Sequence, residues 1–146
     1  IFFQDTIDEV IALAALIPIL SNMSGCSGNQ AIAVSIRELA LGLVRPGDYA
    51  MVVAKEAGVG IINGLVLATL LGFFTYLWKQ DLTLSVVIGS ALAVNTIVSV
   101  VLGGTIPLVM RRMDIDPALA AAPMLTTIVD MFGFFLALGL ATLFLV

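Results

Sequence analysis

Apolar residues dominate the chain in long runs, and polar residues cluster between them. The first run covers residues 10–36, but only residues 10–20 are continuously apolar. After Pro18 it passes into Ser21-Asn22-Met23-Ser24-Gly25-Cys26-Ser27-Gly28-Asn29-Gln30. A Gly/Ser/Asn segment exposed to lipid would leave backbone groups without partners, so it predicts a break that lines a cavity or packs against protein. The expected elements are a helix over about 6–24 and a short amphipathic helix over 29–43. Arg45-Pro46-Gly47-Asp48 reads as a turn, with Asp48 as N-cap of the next helix.

The next three helices follow from the uncharged stretches. One spans about 49–78, uncharged from Ala57 onward, with Tyr76 and Trp78 at the end where an interfacial aromatic belt is expected. Lys79-Gln80-Asp81 is a tight connection to a helix over about 82–112, closed by Arg111 and Arg112. The last begins at Asp116-Pro117, with proline at an early helical position, and is expected to reach residue 146. The fold class is therefore an all-α polytopic membrane protein, with four transmembrane helices and one short amphipathic helix in a single domain over 1–146.

Composition agrees: 61% of the 146 residues are hydrophobic and 11% charged, too few charges to cover a water-soluble surface. The net charge of −4 comes without a basic run, which argues against a nucleic-acid partner. There is no histidine, and the lone Cys26 can neither form an internal disulfide nor hold zinc alone. The remaining metal ligands are oxygens of Asp, Asn, Thr and the backbone, which suit hard cations. The start at Ile-Phe-Phe-Gln-Asp has no initiator methionine and no signal-peptide n-region, as expected of a chain that begins inside a longer one.

Charge also orients the helices. Arg37, Arg45 and Lys55 flank the first connection, and Arg111 and Arg112 the third, on one side of the membrane. The other side holds only Lys79 with the acids Asp5, Asp8 and Glu9. The positive-inside rule places the first and third connections in the cytoplasm and the Val146 end outside an inner or plasma membrane. A chain starting in the cytoplasm would then need an odd number of helices before Ile1.

Asp130 is the most informative residue. It separates two stretches without charge and lies roughly 18 Å into its helix, near the middle of a ~30 Å hydrocarbon core. A carboxylate there costs a few kcal/mol and is normally functional or paired. The plain alternative is a structural partner for Arg37 or Lys55, or a permanently protonated acid. Pro123 lacks an N–H and frees the Leu119 carbonyl, while Thr126 and Thr127 add hydroxyls, so an oxygen-rich cation site is expected around Asp130. Asn22, Asn29 and Gln30 form a second candidate beside the expected break. Asn63, between Gly60 and Gly64, and Asn95 read as buried amides that join helices, with pore lining as the second reading for Asn63. Asp114 and Asp116 read as a solvated helix boundary or a cytoplasmic cation vestibule. Asp5, Asp8 and Glu9 are surface charge or an attractor at the outer mouth.

Asp116-Pro117-Ala118-Leu119 with Pro123-Met124-Leu125-Thr126-Thr127-Ile128-Val129-Asp130-Met131-Phe132-Gly133-Phe134 resembles the last helix of the MgtE family of magnesium channels. Ser24-Gly25-Cys26-Ser27-Gly28-Asn29-Gln30 and Arg37-Glu38-Leu39-Ala40-Leu41-Gly42 resemble that family's Gly/Asn segment and the short helix after it. Lys55-Glu56 with Val59-Gly60-Ile61-Ile62-Asn63-Gly64-Leu65 resembles the start of its third helix. The resemblance covers nearly the whole chain and implies a homodimer of subunits with five membrane helices, with a pore on the two-fold axis. It implies that Asp130 and the backbone at Thr126 hold a hydrated magnesium ion, that Asn29 lines the cytoplasmic side, and that Asp116 belongs to a cytoplasmic metal site. This chain matches helices two to five, in agreement with the odd helix inferred from charge. Cys26 departs from the family's usual Asn, and the family's cytoplasmic regulatory domains, paired CBS modules included, are not in this sequence.

The expected function is passive conduction of a divalent cation, magnesium before manganese, cobalt or calcium, with the lipid bilayer and a second copy of the chain as partners. Three other readings stay open: a secondary transporter coupled to protons or sodium, a non-conducting structural subunit, and, more distantly, an intramembrane aspartyl protease. The last needs two catalytic aspartates where this chain has one deep in the bilayer, so no catalytic residue is assigned.

Overall fold

The computed structural model describes the backbone of residues 4–145 and the side chains of residues 11–145. Asp5, Asp8 and Glu9, read above as an outer mouth, have side chains outside the described residues. The fold is all-helical: α1 (Gln4–Ala40), α2 (Tyr49–Lys79), α3 (Leu82–Arg112) and α4 (Pro117–Phe144). All four are long and apolar enough to cross a membrane.

The expected break at residues 21–30 is absent, and the expected amphipathic helix over 29–43 is the second half of a continuous α1 of 37 residues. The reason is the one that predicted a break. In lipid every backbone group needs an internal partner, and an unbroken helix supplies it. The serines fold back on the helix: Ser24 Oγ donates to the Leu20 carbonyl at 2.9 Å and Ser27 Oγ to that of Met23 at 3.3 Å. The glycines serve packing instead. A Cβ on Gly28 would clash with the Ser99 side chain and lie 2.8 Å from its carbonyl, so glycine is what lets α1 touch the α3 backbone.

Helix ends follow local chemistry. Gly42, at φ 70°, closes α1 with two backbone bonds, Gly42 N to Leu39 O at 3.3 Å and Leu43 N to Glu38 O at 3.0 Å, the Schellman pattern. Asp114, at φ 56°, ends α3 with the same pair of bonds, to Arg111 and Met110. Asp81 caps α3 by accepting from Leu84 N at 3.1 Å. Asp48 does not cap α2 through its side chain as expected. At ψ 40° it is not in the extended conformation that aims a side chain at the first turn, and it accepts from Arg45 N at 2.9 Å to close the preceding turn.

α3 is central and packs against the other three helices, while α1 and α2 scarcely touch. Contacts climb together along α1 and α3, from Ser24 with Ser99 to Gly28 with Gly103, so these two run parallel. They run in opposite order along α2 and α3, where Gly60 meets Ile97, Gly64 meets Ala93 and Gly72 meets Ser85. The Gly60/Gly64 pair thus makes the close helix contact expected of it. Because lipid tails are as apolar as leucine, these seams hold by close packing and hydrogen bonds rather than by transfer from water. Among the described residues three apolar clusters fill the bundle. Leu16, Leu20, Ile88 and Leu92 lie in one, Ile32, Ile106, Leu125 and Val129 in a second, and Val44, Val52 and Leu108 in a third. The outer face of α2, with Ile61, Ile62, Leu65, Phe73 and Phe74 exposed, suits lipid.

Candidate functional site

Residues of α1 four or seven positions apart share a face, and Pro18, Asn22, Gly25, Cys26 and Asn29 form one such stripe. On α4 the equivalent stripe is Thr126, Asp130 and Phe134. The two stripes, with Ser21, line a groove of about 330 Å³ between α1 and α4. Six of its lining residues carry a polar or sulfur atom on the side chain.

Asp130 sits at the edge of this groove, half-buried, beside the buried ridge of α4 formed by Leu125, Val129, Gly133 and Ala137. The Ser21 hydroxyl donates to its Oδ1. Neither Arg37 nor Lys55 pairs with it, so the plain structural reading finds no cation here among the described residues. Lys55 Nζ bonds instead to Glu38 Oε2 at 2.7 Å and Glu56 Oε1 at 3.2 Å. Among the described residues no three Cys, Asp or Glu side chains gather as a metal cluster. What the groove offers a cation is one carboxylate per chain, surrounded by neutral oxygen groups, which suits an ion that keeps much of its water.

The expected site residues divide by position. Asp130, Thr126 and Asn29 come together in the groove. Thr126 Oγ1 donates to the Ala122 carbonyl at 2.9 Å, and its oxygen can still accept a hydrogen bond. Thr127 is exposed on the neighbouring face, its hydroxyl on the Pro123 carbonyl at 3.0 Å, and does not line the groove. Asn63 is not there either. It lines a separate pocket of about 320 Å³ with Gln30, Lys55 and Glu56, on the far side of α1. Asp116 caps α4 by accepting from Ala118 N at 3.0 Å, about 20 Å along the helix from Asp130. Asn95 is fully buried but makes no hydrogen bond, so the interhelical bond expected of its amide is missing.

Sequence reasoning missed Ser21 as the partner of Asp130, since nothing local links residues 109 positions apart. It also missed Glu56, which is 4% exposed and pressed against Gly104 of α3. Its place beside Lys55, at the edge of the uncharged stretch that begins at Ala57, gave little sign of burial.

A family model described as MgtE, divalent cation transporter, matches residues 17–140. The magnesium transporter MgtE of Thermus thermophilus is 34% identical over 143 residues, covering 98% of this chain and 32% of that protein. That of Bacillus subtilis is 30% identical over 144 residues, covering 99% and 32%, and that of Enterococcus faecalis 27% over 143, covering 98% and 32%. The chain therefore spans about a third of the length of these relatives. With four membrane-length helices in the order its motifs require and the matched stretch covering both walls of the Asp130 groove, the chain belongs to the MgtE family.

Proposed function

We propose that this chain contributes the ion path of a divalent cation channel, with magnesium as the transported ion and Asp130 as its principal ligand. The observation that carries the reading is the groove: a mid-membrane carboxylate flanked by Asn22, Asn29 and Thr126 on the surface of the bundle. Polar side chains on the outside of a membrane bundle face lipid unless something covers them, and an uncovered carboxylate there costs several kcal/mol. A second copy of the chain across a two-fold axis would cover the groove with its own and bring two Asp130 carboxylates to one path.

Magnesium prefers near-octahedral oxygen ligands and gives up water reluctantly. Two carboxylates would attract the ion while amides and hydroxyls along the walls hydrogen-bond to its water. Charge density and the fit of the hydrated ion would then set selectivity, and holding through water leaves the ion free to move on. Manganese, cobalt and calcium are the competing cargoes. The connections after α1 and α3 face the cytoplasm in this reading, as their basic residues require. Asp116 near that face and Asn29 on the cytoplasmic half of the path would meet the ion before or after Asp130.

The test is magnesium uptake into liposomes by the full-length protein, wild type against Asp130→Asn. Lost uptake with the dimer intact supports the reading; uptake equal to wild type overturns it. Reversal potentials that follow a proton or sodium gradient would replace channel by coupled transporter.

A further inference from the structure

Asn95 is the least satisfied group among the described residues. Its side chain is 0% exposed, and both Nδ2 and Oδ1 lack a hydrogen-bond partner. Leaving an amide buried and unpaired costs about 1–3 kcal/mol, so such a group normally has a water, an ion or a functional partner. Apolar residues of similar size at this position would avoid that cost, and α3 is otherwise rich in them.

Its location says which partner. A Cβ placed on Gly133 would lie 2.7 Å from Asn95 Nδ2, so the amide occupies the notch that this glycine leaves in α4. The same notch is walled by Leu20 of α1. Gly133 is three residues after Asp130, and Leu20 directly precedes Ser21, the residue bonded to Asp130. Side chains three apart on a helix have Cβ atoms about 5–6 Å apart, so Asn95 Nδ2 is within about 8 Å of the Asp130 Cβ. The gap left once the carboxylate's own reach is counted is one that a single water can bridge. Ser21 holds Oδ1 from the groove side. The Asn95 amide stands behind, on the protein side, with two free N–H donors.

We infer that Asn95 is a positioning residue for Asp130: through one buried water its amide holds the second carboxylate oxygen, and with Ser21 it fixes the orientation in which the carboxylate meets the ion. This rests on Asp130 being the ion ligand. A buried polar group with no protein partner is where an ordered water is expected, and a carboxylate in low dielectric gains most from such donors.

The experiment compares the full-length protein with Asn95→Leu, Asn95→Ala and Asp130→Asn in liposomes. The magnesium concentration for half-maximal uptake and the thermal unfolding midpoint are read for each. Leucine keeps the branched shape of the side chain and removes the unpaired polar atoms, so Asn95→Leu is expected to unfold no earlier than wild type while its half-maximal concentration rises about tenfold, the loss of one charge-assisted bond. Should leucine prevent assembly, Asn95→Ala, which cannot overfill the notch, is expected to give the same rise. Half-maximal uptake at the wild-type concentration in Asn95→Leu or Asn95→Ala, while Asp130→Asn abolishes it, overturns this inference alone. Wild-type uptake by Asp130→Asn overturns the ion-site reading and this inference with it.

Discussion

The Ser21 hydroxyl of α1 donates to Oδ1 of Asp130 on α4, joining residues 109 positions apart across the floor of the groove. Ser21 is itself 6% exposed, so the bond is sheltered and its donor has a restricted position. A single hydroxyl thereby sets which way one of the described chain's few mid-membrane charges points.

Ser21→Ala tests that bond. Removing a hydrogen bond to a charged group costs about 1.5–3 kcal/mol, so the magnesium concentration for half-maximal uptake is expected to rise about tenfold or more. The helices need no rearrangement to accept alanine, and the unfolding midpoint in detergent is expected to stay near that of wild type. An unchanged uptake curve would show that the bond does not matter to the ion.

The seam between α1 and α3 predicts a sharp contrast among glycines. Gly28→Ala forces a methyl onto Ser99 and to 2.6 Å from Leu125 Cδ2, and is expected to destabilise by about 1–3 kcal/mol. Gly58→Ala meets nothing within 4 Å and is expected to be neutral or slightly stabilising. Thermal unfolding of the two variants side by side checks both.

Lys55 bridges Glu38 and the buried Glu56, whose side chain is 5% exposed. Lys55→Met is expected to lower stability by about 1–3 kcal/mol, less than the loss of a fully buried partner because the lysine side chain is itself 40% exposed. Adding Glu56→Gln removes the stranded charge and is expected to restore most of the loss. A double variant no more stable than Lys55→Met would contradict this.

Much of the architecture was legible because lipid makes it so. Uncharged stretches of about twenty residues read as spanning helices, and Asp116-Pro117 marks a start by local chemistry. The same rule was misapplied to residues 21–30, where glycine and serine signalled a seam with α3 rather than a break. Helical periodicity then divides that segment: Asn22, Cys26 and Asn29 face the groove, Ser24 and Gly28 face α3, and Gln30 lies in the opposite pocket with Asn63. Asp130 and Thr126 stood out by charge and spacing on one helix. Ser21 and Glu56 did not, and Asn95 stood out only as a buried amide, because their surroundings exist only once distant helices pack.

Cys26 is exposed and lines the groove beside Asn29. If the groove is the ion path, a charged methanethiosulfonate added from water is expected to label Cys26 and cut magnesium uptake several-fold, and Cys26→Ser is expected to be insensitive. Labelling without any loss of uptake would place the path elsewhere.

The most direct measurement remains magnesium uptake by the full-length protein in liposomes with Asp130→Asn, a change that keeps the side-chain shape and removes its charge. Uptake and divalent selectivity are expected to collapse while the protein stays folded. Uptake and selectivity equal to wild type would contradict the assignment of the α1–α4 groove as the path of the ion.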